Sequence, residues 1–162
     1  MTNADWAGDG RTPEQRLAAL GLELPAAFPP AASYRSVRVH GDIAYVSGHG
    51  PMLNGAAVYR GKLGDGVDIE TGRLSARLTA LNILASVKEE LGELSRVTGF
   101  LKLLVLVNAA PGFEFPHRVA DGASDLLFAL YGPSSGHARS AIGVATLPMG
   151  ITTEIEAILT FA

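Results

Sequence analysis

The last strand-like segment of the chain places two carboxylates on one side. Residues 151–161 alternate with the two-residue period of a strand, and Glu154 and Glu156 fall on the same face. Two like charges this close on a largely apolar segment need a cation or water beside them. Arg139 is the nearest cation in sequence and can grip a carboxylate through two parallel N–H bonds. The pattern permits either a recessed Arg and Glu site or a solvated edge strand with two surface glutamates.

Other chemistry finds little support in the sequence. The chain has no cysteine, which excludes disulfides, thiolate nucleophiles and sulfur-bound metals. The four histidines lack metal spacing, since the closest pair, His40 and His49, is nine residues apart. Ser47 stands in a Ser-Gly-His-Gly stretch, which differs from the Gly-x-Ser-x-Gly of a nucleophile elbow. No metal site is therefore predicted.

The composition is that of one compact domain. The chain has 162 residues, of which 48% are hydrophobic and 18% charged, with a net charge of −3. The 13 Lys and Arg residues form no basic run, so a nucleic-acid partner is not expected. No segment has the roughly 20 apolar residues of a membrane span, and no export signal opens the chain. We expect a cytoplasmic protein.

Residues 1–33 are predicted to form an N-terminal extension with a short helix, ahead of a domain at 34–162. Thr12 and Pro13 are typical of a helix cap and a first helical residue. Pro29 and Pro30 then predict a stiff spacer. The main domain follows from residue 34 without a second boundary.

Periodicity predicts the order β-β-β-α-β-α-β-β for the domain. The predicted strands lie at 37–40, 43–47, around Val58 and Tyr59, and at 100–107, 138–147 and 151–161; the helices lie at 70–91 and 116–130. A mixed sheet with two helices packed on one face satisfies this α+β order. Because residues 100–107 are apolar on both faces, we expect a second subunit to cover the bare face.

Three motifs of the chain are informative together. They are His-Ala-Arg-Ser-Ala-Ile-Gly-Val-Ala-Thr-Leu-Pro at 137–148, Thr-Glu-Ile-Glu-Ala-Ile at 153–158 and Ala-Tyr-Val-Ser-Gly at 44–48. With the spacing from Arg139 to Glu154, they resemble the YjgF/Rid proteins, historically also called L-PSP endoribonucleases. The resemblance spans roughly residues 33–162.

The resemblance implies a chorismate-mutase-like α+β fold and a homotrimer with ligand clefts between subunits. It also implies hydrolysis of reactive enamines and imines of amino acids to 2-keto acids and ammonia, without metal or organic cofactor. By position, Arg139 would bind the carboxylate of a small metabolite and Glu154 would position the attacking water. Tyr34, thirteen residues before Ser47, would line the cleft together with Ser47 and Gly48.

The chain departs from the family pattern at four positions. Gly122 stands where deaminases commonly carry a substrate-binding Asn, and Ala141 stands where a Cys is common. His137 replaces a Pro and His49 a frequent Gln, and whether either reaches the cleft is open. Gly122 is expected to leave space for a larger or different ligand. These departures and the N-terminal extension indicate a divergent subgroup. The main alternative to deamination is a non-catalytic trimeric binder of a carboxylate-bearing metabolite. RNA cleavage is a less favoured alternative.

Overall fold

The N-terminal segment packs directly against the domain. The structure, a computed structural model, describes residues 10–162 apart from the side chain of Ser134; the first nine residues of the predicted extension lie outside that range. Helix α1 (Pro13–Ala19) begins at the predicted cap, Thr12, which exchanges hydrogen bonds with Gln15 in a capping box. Leu17 is buried in the core, and the Leu94 N–H donates to the carboxylate of Glu14 at 2.8 Å.

A five-stranded mixed sheet organises the domain. Its strands stand in the order β1-β2-β9-β7-β8, in which only β7 and β8 are parallel. The strands of the chain are β1 (Val37–His40), β2 (Ile43–His49), β3 (Met52–Leu53), β4 (Ala56–Ala57), β5 (Lys62–Leu63), β6 (Gly66–Val67), β7 (Val97–Asn108), β8 (Ala138–Val144) and β9 (Thr153–Phe161). The four short strands β3 to β6 form two separate pairs.

The strand predicted around Val58 and Tyr59 is wrong. A tight turn at Asn54 and Gly55, both with positive φ, folds β3 back onto β4 earlier in the chain. Asn and Gly tolerate this left-handed backbone, so the turn defines the register of the hairpin. The hairpin therefore ends at Ala57, and the chain then continues outside any strand until β5.

Two long helices cover one face of the sheet. Helix α2 (Ile69–Leu91) begins at Asp68, whose side chain accepts a hydrogen bond from the Thr71 N–H. Helix α3 (Pro116–Tyr131) begins on a proline, which suits a first helical position. Both helices agree with the predicted ranges to one residue. In residues 10–162 no helix is long and apolar enough to cross a membrane.

The two faces of the sheet differ sharply in burial. Along β7, Leu103, Val105 and Val107 are buried beneath the helices, whereas Lys102, Leu104 and Leu106 are half-buried on the opposite, open face. The predicted α+β fold with helices on one face is confirmed. No described element of the protomer covers the open face, and the homotrimer that would cover it stays a prediction.

Candidate functional site

Four of the predicted site residues line one pocket. Tyr34, Ser47, Gly48 and Glu154 surround a cavity of about 200 Å³ where β2 meets β9. This volume is below the roughly 300–1,000 Å³ of sites for drug-sized ligands, so the pocket suits a small metabolite. We call it the Glu154 pocket.

A bulge in β2 brings the Glu154 carboxylate against Gly48. The pairing of β2 with β9 shifts register between Val46 and His49, and Gly48 lies within the shift. A Cβ on Gly48 would lie 3.0 Å from Cδ of Glu154 and closer still to its oxygen. Only a residue without a side chain therefore permits this position of the carboxylate.

Burial and a like charge raise the pKa of the Glu154 carboxyl. Glu154 is half-buried at the pocket, and removal from water disfavours its charged form. Glu156 on the same face of β9 adds a smaller repulsion that acts in the same direction. A carboxylate with a raised pKa is a better proton acceptor near neutral pH than an ordinary surface glutamate.

Ser47 and Tyr34 shape the pocket through main-chain contacts. The Ser47 hydroxyl donates to the Arg35 carbonyl at 2.7 Å, and the Ala31 N–H donates to the Tyr34 hydroxyl at 3.3 Å. The Tyr34 side chain is 49% exposed, so it forms a rim and is not part of the core. Because its hydroxyl hydrogen is already donated to a carbonyl, Ser47 is not arranged as a nucleophile.

His49 lines the pocket but its ring is fully engaged. Its Nδ1–H donates to the Ser47 carbonyl at 2.7 Å, which leaves Nε2 to accept from the Ser86 hydroxyl at 2.9 Å. Burial lowers the pKa of His49, which keeps the ring neutral. The residue ties β2 to α2 and holds the base of the bulge.

Arg139 lies on the opposite face of the sheet from Glu154 in the same protomer. In the strand register Arg139 stands beside Leu103, whereas Glu154 stands beside Leu106. Paired residues point to the same side, so Arg139 faces the helices and Glu154 faces the open side. A single protomer therefore does not bring together the cation and the carboxylates that lie close in sequence.

The Arg139 guanidinium is held by α3. Its Nη2 lies 3.0 Å from a carboxylate oxygen of Asp121 and donates to the His117 carbonyl at 3.2 Å, while Nη1 donates to the Ser124 hydroxyl at 2.8 Å. Ser124 in turn contacts His137 Nε2 at 3.0 Å. Burial and the nearby Arg139 charge lower the pKa of His137, which favours the neutral ring. The neutral ring accepts a hydrogen bond from the Ser124 hydroxyl beside Arg139. His137 does not line the Glu154 pocket.

The expectation that Gly122 leaves space is wrong. Gly122 is buried where α3 crosses α2, and a Cβ there would lie 2.8 Å from the carbonyl carbon of Arg73 and closer to its oxygen. The backbone of α2 fills the volume that a side chain would need. A small residue inside an amphipathic helix is the sequence signal for such a close crossing.

Sequence reasoning missed the apolar wall of the Glu154 pocket. Phe28 and Pro29 from the N-terminal segment, Met52 from β3, and Met149 from the turn before β9 contribute to it. The positions are far apart in sequence, and no local pattern connects them.

In the described residues no group of three or more His, Cys, Asp or Glu could hold a metal ion.

The fold and this carboxylate-bearing pocket define the class of the protein. A mixed sheet with its long helices on one face is the chorismate-mutase-like α+β architecture. Residues 14–156 match the model of the family described as "YjgF/chorismate mutase-like, putative endoribonuclease", and the chain belongs to that family.

Relatives and solved structures of similar sequence cover nearly the whole chain. Protein TCP17 of Trypanosoma cruzi is 40% identical over 86% of this chain and 88% of its own. The protein Atu1372 of Agrobacterium tumefaciens, described as of unknown function, is 38% identical over 99% of both chains with a TM-score of 0.88. A "putative endoribonuclease" from Shewanella oneidensis is 31% identical over 93% of this chain and 100% of its own, with a TM-score of 0.90.

Proposed function

We propose that the protein hydrolyses imine and enamine intermediates of amino acids to 2-keto acids and ammonia, and that Glu154 is the catalytic base. The observation that carries the proposal is the position of this carboxylate. It is half-buried in a small pocket, and its pKa is raised by burial and by Glu156. A carboxylate so placed can hold one water molecule and accept its proton.

The reaction needs little more than orientation and one proton acceptor. Water attacks the carbon of the C=N bond while Glu154 takes a proton from that water, which gives a carbinolamine. Glu154 returns that proton to the nitrogen. It then takes the hydroxyl proton of the carbinolamine and passes it to the amino group as the C=O bond forms and the C–N bond breaks, so ammonia and the 2-keto acid leave without net oxidation or reduction. Because the imine carbon is already electrophilic, holding substrate and water together supplies most of the acceleration.

The substrate carboxylate needs a cation, and we propose that Arg139 of a neighbouring protomer supplies it. Arg139 lies on β8, the edge strand of the sheet, and faces away from Glu154 of its own chain. In the homotrimer that we propose, the interface is head-to-tail, and the edge strand of one subunit would lie against the open face of the next. Arg139 and Glu154 from different chains would then form one site.

Subunit complementation tests this arrangement. Arg139→Ala and Glu154→Gln should each lose keto-acid release from imines that an amino-acid oxidase generates in the assay. When the two inactive variants are unfolded together and refolded as mixed trimers, about one quarter of the sites carry both native residues and activity should return to that level. Failure of the mixture to recover activity, while refolded wild type does recover, would exclude a shared site.

RNA cleavage is the second candidate, favoured by the family description. The pocket is small and contains a carboxylate, and the chain is acidic, which opposes the binding of a polyanion. We therefore expect no ribonuclease activity above that of a mock purification. RNase activity that disappears in Glu154→Gln would select this candidate instead.

A further inference from the structure

The Glu154 pocket has an apolar wall that the N-terminal segment provides. Phe28, Pro29 and Pro30 line it together with Met52. Two consecutive prolines restrict the backbone of this wall, and the hydrogen bond from the Ala31 N–H to the Tyr34 hydroxyl follows directly after them. The segment that the sequence suggested as an extension is therefore part of the pocket.

Met149 completes the wall in an unusual conformation. Its φ is 55° and ψ is 11°, a left-handed geometry that a bulky side chain rarely adopts. The side chain is 57% exposed, so core packing does not hold it there. Strain of this kind is retained where it positions a group for function, and here it places a thioether at the pocket.

Glu154 and the apolar residues Phe28 and Met149 reach the pocket from different segments of the chain. Glu154 and Ser47 lie where β2 meets β9, whereas Phe28 and Met149 come from the segments before β1 and before β9. A ligand whose reacting carbon faces Glu154 would extend its side chain against the apolar part. No lysine or arginine lines this cavity among the described residues, so an acidic side chain would find no partner.

We propose that the pocket selects imines with a bulky apolar side chain, and that Phe28 and Met149 are the residues that determine this selectivity. The inference rests on the proposed imine hydrolysis and adds the substrate class to it. Burying a branched hydrocarbon against Phe28, Met52 and Met149 favours the leucine-derived imine over the alanine-derived imine. Each extra methylene in an apolar pocket is worth about tenfold or more in selectivity.

The ratio of kcat/KM for leucine-derived and alanine-derived imines tests the inference. We expect a ratio of at least about 10 for wild type and a fall to about 3 or less in Met149→Gly and in Phe28→Ala. Glycine adopts the left-handed backbone without strain, so Met149→Gly should not lower the unfolding temperature. Leu74→Ala removes an apolar side chain outside the pocket whose exposure, 49%, lies between those of Phe28 and Met149, and it should keep the wild-type ratio.

The kinetic results distinguish failure of the selectivity inference from failure of the proposed imine hydrolysis. A wild-type ratio near 1, or a ratio that both pocket variants leave unchanged, would overturn the inference while leaving imine hydrolysis intact. Absence of turnover with every imine would overturn the proposed function. In that case calorimetry decides the inference, because 4-methyl-2-oxopentanoate should bind more tightly than pyruvate to wild type and lose that advantage in Met149→Gly.

Discussion

The carboxylate of Glu154 lies in the space that a side chain on residue 48 would occupy. Its Cδ is 3.0 Å from the position of a Cβ on Gly48. The glycine at the β2 bulge and the acid on β9 therefore act as one unit. The acid can face the pocket only because residue 48 has no side chain.

The substitution Gly48→Ala should therefore displace the carboxylate. We expect keto-acid release to fall by about tenfold or more, since misplacing a catalytic group by about 1 Å can cost up to about a hundredfold. The same substitution in a Glu154→Ala background should cost little stability, because the clashing atoms are gone. Equal losses of unfolding free energy in both backgrounds would show that the effect does not pass through Glu154.

The acid limb of the pH profile should report the raised pKa of Glu154. As pH falls through that pKa, the base becomes protonated and kcat/KM drops. Glu156→Gln removes the like charge, so the pKa of Glu154 should fall and the acid limb should move to lower pH. An acid limb that stays in place in Glu156→Gln would contradict this assignment.

Stability should depend on Glu154 with a defined sign. Its folded-state pKa lies above the unfolded value, so the ionised carboxylate destabilises the fold at pH values above both and has no effect below both. Glu154→Gln should therefore raise the unfolding temperature at pH 8, by a few degrees at most, and should not raise it at pH 3.5. A gain of equal size at both pH values would point to packing in place of charge.

Asp121 is expected to compete with the substrate for Arg139. Its carboxylate lies 3.0 Å from the guanidinium in a partly exposed pair, which is worth roughly 0–1 kcal/mol. Asp121→Asn should tighten the binding of a 2-keto acid by up to about fivefold. Asp125→Asn is the matched control, because Asp125 pairs with Arg73 at 2.8 Å. Weaker binding in Asp121→Asn than in this control would show that Asp121 orients the guanidinium.

Gly122→Ala should destabilise the protein, although glycine inside a helix ordinarily costs stability relative to alanine. The added methyl group meets the backbone of Arg73, and overpacking of this kind costs about 1–3 kcal/mol. Gly72→Ala is the comparison, because its methyl group would lie 3.0–3.1 Å from side-chain methyls of Leu63 and Val119, which can move. Chemical denaturation of the two variants should give the larger loss for Gly122→Ala.

The sequence by itself determined the long helices and the fact that Glu154 and Glu156 share one face of a strand. The three- and four-residue period predicted α2 and α3, and the two-residue period placed Glu154 and Glu156 on one shared face of β9. These features depend on neighbours within a few residues, so local periodicity contains them. The short strands around residues 52–67 have two residues each and depend on turns, which is why their positions were missed.

Only the tertiary structure decided which groups share a site. The parallel register of β8 on β7 turns Arg139 towards the helices, and the α2–α3 crossing fills the space beside Gly122. Phe28 and Met149 are more than a hundred residues apart and meet at one pocket with Glu154. Such contacts depend on strand order, helix crossing and chain reversal, which no local pattern of residues encodes.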